Sequence, residues 1–139
     1  MTSHTDLATM LLPPLLQDFV RLIGVQAVMA LVERVGGLRI YIPTPKNATA
    51  DHQFAEIIGV DNLVKLGEAY GGQEHFQLPK AYSALVALRN ARIAADYSTT
   101  TKTARQLAVE HRLTESQIVR IVARQGATAP ADRRQLKLL

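Results

Sequence analysis

A tandem repeat sets the terms on which this chain can fold. Phe19 to Gly37 reads F-V-R-L-I-G-V-Q-A-V-M-A-L-V-E-R-V-G-G, and Phe54 to Gly72 reads F-A-E-I-I-G-V-D-N-L-V-K-L-G-E-A-Y-G-G, at a constant offset of 35 residues. Phe19/Phe54, Ile23/Ile58, Gly24/Gly59, Val25/Val60, Leu31/Leu66, Glu33/Glu68 and both double glycines are identical. Each copy runs into an extended segment closed by proline: Leu38 to Ile42 before Pro43, and Glu74 to Leu78 before Pro79. A repeat of this length is one supersecondary unit that cannot bury its apolar face alone.

The physics of one copy is readable. A short helix ends at Ile-Gly, where glycine can take the left-handed conformation that closes a helix. A second helix follows, with Val28, Leu31, Val32 and Val35 on one face in the first copy and Leu63, Leu66 and Tyr70 in the second. The Gly-Gly pair stops that helix and turns the chain into a strand. Leu38, Ile40 and Ile42 alternate with Arg39 and Tyr41, the period of a half-buried strand. A two-stranded sheet is marginal alone, and pairing with the same element of another subunit completes it economically. Residues 1–79 therefore read as a helical dimerisation domain with a little sheet, its copies at 18–43 and 53–79; the alternative is a monomeric helical domain that arose by duplication and needs no partner. The polar segment Thr44 to Asp51 reads as the loop that joins them.

Charge separates the rest of the chain from this domain. Residues 1–79 hold 5 Lys/Arg against 8 Asp/Glu, a net of −3, while residues 80–139 hold 11 against 4, a net of +7. A positive end on an acidic remainder points to a module that binds a polyanion. There is no cysteine for disulfides, zinc fingers or thiol chemistry. The apolar stretch Leu7 to Leu16 is broken by Pro13 and Pro14 and is too short to span a bilayer. No signal peptide or anchor is expected, and the reading is of a cytoplasmic protein with no membrane partner.

The basic third carries the functional signals. Tyr82, Leu85, Val86, Ile93 and Tyr97 recur at helical spacing, with Arg89 and Arg92 between them, until Ser98-Thr99-Thr100-Thr101 ends the run. Thr103 with Gln106, and Thr114 with Gln117, are two capping boxes about ten residues apart. Arg112 and Leu113 make the turn between the two helices. Ala108 is the small residue that lets the second helix cross the first, and Ile118, Ile121 and Val122 pin that helix from below. The pattern predicts a three-helix helix-turn-helix domain over residues 80–126, in a mainly α chain.

In such a domain the second helix enters the major groove. Its outer face carries Ser116, Gln117, Val119, Arg120 and Arg124, with Thr114 at its start. Arg120 suits a bidentate contact to guanine, and Gln117 suits adenine if it is not occupied as a cap. Lys102, Arg105 and Arg124 suit phosphates, which position without reading sequence. Residues 127–139 read as a basic, flexible tail.

Enzyme chemistry finds no support. His4, His52, His75 and His111 are scattered, with no pair at metal-ligand spacing. His111, at a helix end, reads as a favourable charge at the negative end of the helix dipole. Asp18, Asp51, Asp61 and Glu68 form no grouping of the kind a recombinase or transposase needs for metal ions. No catalytic residue, metal or cofactor is expected.

The order of these motifs resembles the Mor transcription activator family, the middle-operon regulators of phage Mu and Mu-like prophages. The resemblance rests on the Gly-Gly-strand-Pro units, on Leu88-Arg89-Asn90 with Ile93, Asp96 and Tyr97, and on Leu107-Ala108 to Arg124, and covers roughly residues 18–125. It implies a homodimer built by the N-terminal domain, with two helix-turn-helix units on successive turns of a promoter. It also implies that the strand at Gln73, His75, Phe76 and Gln77 lies near the DNA, and that RNA polymerase is recruited through its alpha and sigma subunits. The alternative is a helix-turn-helix repressor or an architectural protein that makes no polymerase contact. Two departures from the family pattern are Arg112, in place of the turn glycine, and Gln77, which interrupts the apolar run of the second strand.

Overall fold

The computed structural model describes residues 4–129. The protein is mainly helical. Eight α-helices lie among the described residues: α1 (His4–Met10), α2 (Pro14–Ile23), α3 (Val25–Val35), α4 (Gln53–Ile58), α5 (Val60–Tyr70), α6 (Tyr82–Thr99), α7 (Ala104–His111) and α8 (Glu115–Arg124). Two short strands, β1 (Arg39–Ile40) and β2 (Phe76–Gln77), form the one small sheet among those residues. The chain divides into two compact units, residues 9–86 and residues 87–129 together with 4–8, so the boundary falls inside α6.

In the first unit the repeat becomes a repeated shape. The helix junctions match closely: Gly24 has φ 87° and ψ 157°, and Gly59 has φ 88° and ψ 156°. Only glycine occupies that region without strain, so the Ile-Gly pair turns the chain at the same angle in both copies. The copies then exchange contacts. Helix α2 packs on α5, and α3 packs on α4. Phe19, Leu16, Val28, Leu31, Leu63 and Leu66 are buried between them.

The strands pair with each other, antiparallel, with Arg39 opposite Gln77 and Ile40 opposite Phe76. The two strands that the repeat supplies thus form one two-stranded sheet, and each copy finds its strand partner in the same chain. The N–H of Gly37 donates to the Leu78 carbonyl (2.7 Å), and that of Gly72 donates to the Ile42 carbonyl (3.1 Å), so each double glycine is held by the other copy.

Both strands are shorter than the extended runs that contain them. Ile40 and Ile42 are buried, but Leu38, expected on the same face, is 57% exposed. Gly37, at φ 85°, turns the chain just before it, and regular pairing begins only at Arg39. The joining loop contains a 3-10 turn at Pro45–Asn47 that packs on α5. Helix α1, absent from the sequence reading, precedes Leu12, which is buried.

The second unit is organised around Ile93 of α6, Leu107 and Ala108 of α7, and Ile118 and Val122 of α8. Tyr97, Ala104, Leu113, Ile121 and Ala127 close around that core. Of the segment read as a tail, Ala127 packs here and Ala129 is buried, while residues 130–139 lie outside the described residues.

Candidate nucleic-acid interface

The geometry of α7 and α8 follows from a few local bonds. Thr103 Oγ1 accepts from the Gln106 N–H (3.2 Å), and Gln106 Oε1 accepts from the Thr103 N–H (2.8 Å). Thr114 and Gln117 repeat the arrangement at 3.1 and 2.8 Å. Reciprocal bonds of this kind satisfy donors that a helix start leaves bare, so both helices begin at fixed residues.

Between them, Arg112 sits at φ 54° and ψ 44°, the only non-glycine residue with positive φ among those described. Its N–H donates to Val109 (3.4 Å) and that of Leu113 to Ala108 (2.9 Å). That pair of bonds is the left-handed helix stop usually built on glycine. Arg112 adopts the glycine conformation, at a cost of about 1 kcal/mol.

Helix α8 divides cleanly by face. Ile118 and Val122 point into the core, while Ser116, Gln117, Val119, Arg120 and Arg124 are exposed, as is Thr114 at the cap. The exposed set is therefore continuous along one helix and carries two guanidiniums. Gln117 is occupied as a cap through its carbonyl oxygen, which leaves its amide N–H groups as the outward-facing function.

The phosphate candidates differ from one another. Arg105 is exposed. Lys102 is held between two carboxylates, with its ammonium 3.6 Å from Asp96 and 3.1 Å from Glu110. The bond to Glu110 is the main reason its pKa is raised. Its positive charge is already answered locally.

A residue that sequence reasoning did not place in the site also lies here. Arg89 of α6 faces α8 across a cleft of about 220 Å³, which Asn90, Gln117, Arg120 and Arg124 also line. The Arg89 guanidinium donates to Asn90 Oδ1 through Nε (3.2 Å) and Nη2 (3.0 Å), which fixes its direction. Three arginines thus border one cleft beside α8. Helical spacing identified Arg89 as lying off the core face, but nothing in the spacing says which helix that side meets.

His111 ends α7 as anticipated, but it is half-buried, and burial pushes its pKa below the usual 6.5. Burial therefore favours the neutral imidazole, opposing the charge at the helix dipole that the sequence suggests.

Of the strand residues, Gln73, His75 and Gln77 are exposed and Phe76 is half-buried. The Phe76 ring packs on Phe19 (6.4 Å) and Tyr70 (6.0 Å), and the His75 ring lies 5.4 Å from Tyr41. Phe76 thereby packs against the aromatic side of the first unit while staying half-buried. Gln77 Nε2 donates to the Gly37 carbonyl at 3.3 Å.

Among the described residues no cluster of His, Asp and Glu could hold a metal ion, and no helix is long and apolar enough to cross a membrane.

The model of the Mor transcription activator family matches residues 44–138. That span takes in the second copy of the repeat and helices α6, α7 and α8, and it begins after the first copy. Neither the curated proteins nor the solved structures contain a significant match to the chain. By its description the family is one of transcription activators. With 95 of its 139 residues inside the match, the protein belongs to the Mor transcription activator family.

Proposed function

We propose that this protein is a sequence-specific, duplex-DNA-binding transcription activator, with α7 and α8 as its helix-turn-helix and α8 as the helix that enters the major groove. The observation that carries the reading is the exposed face of α8. Ser116, Gln117, Arg120 and Arg124 stand together above a buried Ile118–Val122 seam, in a chain of the Mor transcription activator family. Arg120 takes the base-reading role by bidentate contact to guanine. Arg105 and Arg124 bind phosphates, and Arg89 joins them across the cleft. Gln73, His75 and Gln77 are the residues of the repeat strand available to lie along the duplex.

Two chains occupy a two-fold site as a homodimer on DNA, each presenting one α8, with half-sites about one helical turn apart. Bound at a promoter in the bacterial cell, they recruit RNA polymerase through its alpha and sigma subunits. No catalytic step is involved. Affinity comes mainly from phosphate contacts, and so falls with salt.

Selection of bound duplexes from a random-sequence pool, with Arg120→Ala run in parallel, tests the proposal. The expected result is enrichment of a two-fold symmetric site, with Arg120→Ala losing about 1–3 kcal/mol and selectivity at one base pair. Binding without enrichment would indicate an architectural protein, and absence of binding would make the second unit a protein-interaction module. Transcription from the selected site, with polymerase supplied, separates activation from repression.

A further inference from the structure

We infer that the first copy of the repeat covers, inside each chain, the face of the second copy that a partner subunit would otherwise cover, so the pairing of β1 with β2 closes within one chain and not across two. The homodimer on DNA belongs to the reading above; the closure of the repeat stands apart from it.

Three observations converge. The family match contains one copy of the repeat, whereas this chain contains two. The two copies contact each other in the exchanged manner of a local two-fold, α2 on α5 and α3 on α4. A homodimer of single copies builds this kind of isologous contact between subunits. Finally, the groups that a lone second copy would expose are met by the first. Leu63 and Leu66 are fully buried, the edge of β2 is paired by β1, and Leu78 both accepts from Gly37 and donates to the Leu38 carbonyl (2.9 Å). An unpaired strand edge is a template for another chain, and here each strand's paired edge is taken from within.

The chain lacks cysteine, so an introduced pair reports on this contact alone. Arg39 and Gln77 are opposite each other in the sheet, and both are exposed. Residues directly opposite in an antiparallel pair lie roughly 4.5–5.5 Å apart at Cα, within the span of a disulfide.

The full chain carrying Arg39→Cys and Gln77→Cys is oxidised and run on a non-reducing denaturing gel. Alongside it runs an equal mixture of the two single variants. Closure within single chains for the double variant, with no cross-linked dimer joining the two single variants, is expected. Covalent dimers in the mixture, or linkage of the double variant only between chains, would overturn the inference by showing that strands pair across subunits. Failure of any cross-link to form would overturn it too, since β1 and β2 would not be paired. Duplex binding is measured separately on the unaltered chain: its absence removes the DNA-binding reading and leaves the strand pairing as found.

Discussion

The Tyr70 hydroxyl donates a hydrogen bond to the Asp18 carboxylate, tying α5 of the second repeat copy to α2 of the first. Arg21 holds the same carboxylate from the next turn of α2, and the Tyr70 ring lies 5.2 Å from that of Phe19. Burial, reinforced by Asp18, raises the Tyr70 pKa from 10 to about 12, while the bonds from Tyr70 and Arg21 lower that of Asp18. For Tyr70 the neutral phenol is favoured in the fold, so its contribution is complete below pH 10 and disappears as pH rises through about 12. For Asp18 the contribution is present above its ordinary pKa of 3.8 and disappears as pH falls through the lowered folded value. Tyr70→Phe should cost about 1 kcal/mol near neutral pH and flatten the alkaline loss. Urea titrations of parent and variant at neutral and alkaline pH check this; an unchanged alkaline slope would assign the loss to other groups.

Ala108 sits in the core between Ile93, Leu107, Ile118 and Val122 and is 6% exposed. A larger side chain there would have to push α8 off α7. Ala108→Leu should destabilise by about 1–3 kcal/mol and weaken DNA binding for every sequence alike. Thermal denaturation with a binding titration on the same sample checks this. Unchanged stability would mean that α8 tolerates displacement from α7.

At Arg112 the left-handed backbone conformation is forced by the turn, not chosen by the residue. Arg112→Gly should leave stability unchanged or raise it by up to about 1 kcal/mol, since relief of strain outweighs or balances the added freedom of the unfolded chain. Arg112→Val, β-branched at positive φ, should lie at least about 1 kcal/mol below the glycine variant. Equal melting of the two variants would show that the turn can relax to another conformation.

Position in the sequence suits both Lys102 and Arg105 to phosphates, but their surroundings separate them. Asp96 and Glu110 bracket Lys102, whereas Arg105 stands exposed beside it. Each phosphate contact removed should reduce the log–log salt slope of binding by about 0.9. Arg105→Ala should show that reduction and lower affinity for all sequences, while Lys102→Ala should change the slope by less than half as much. The slopes are read from binding titrations at several salt concentrations. Equal effects would mean that the carboxylates release Lys102 on binding.

What could be read from sequence was what is decided locally. The capping boxes at Thr103–Gln106 and Thr114–Gln117 involve residues three apart, so their bonds follow from spacing alone. The strained turn at Arg112 is legible for the same reason, and so is the position of the glycine junctions of the repeat, although Gly24 and Gly59 take an extended ψ of 157° and 156° in place of the left-handed helical one. Helix α1 was missed because its seven residues carry little apolar periodicity. The strand pairing was harder in principle: alternation says that Ile40 and Ile42 must be covered, but not which chain covers them. Arg89 failed on similar grounds, as its role depends on α8 lying across from it. For Gln117 the sequence leaves two uses open, base contact and helix cap, and the bond from the Thr114 N–H commits its carbonyl oxygen to the cap.

The close approach of the joining loop to α5 carries a consequence for how such a sequence can drift. A Cβ on Gly67 would meet the Pro43 carbonyl at 2.8 Å, and one on Gly71 would meet it at 2.7 Å. At the position equivalent to Gly67, the first copy has Val32, almost fully buried. Two identical subunits would have to answer both environments with one residue type. A tandem pair encoded in one reading frame is released from that constraint, and valine on one side with glycine on the other is a solution open only to it.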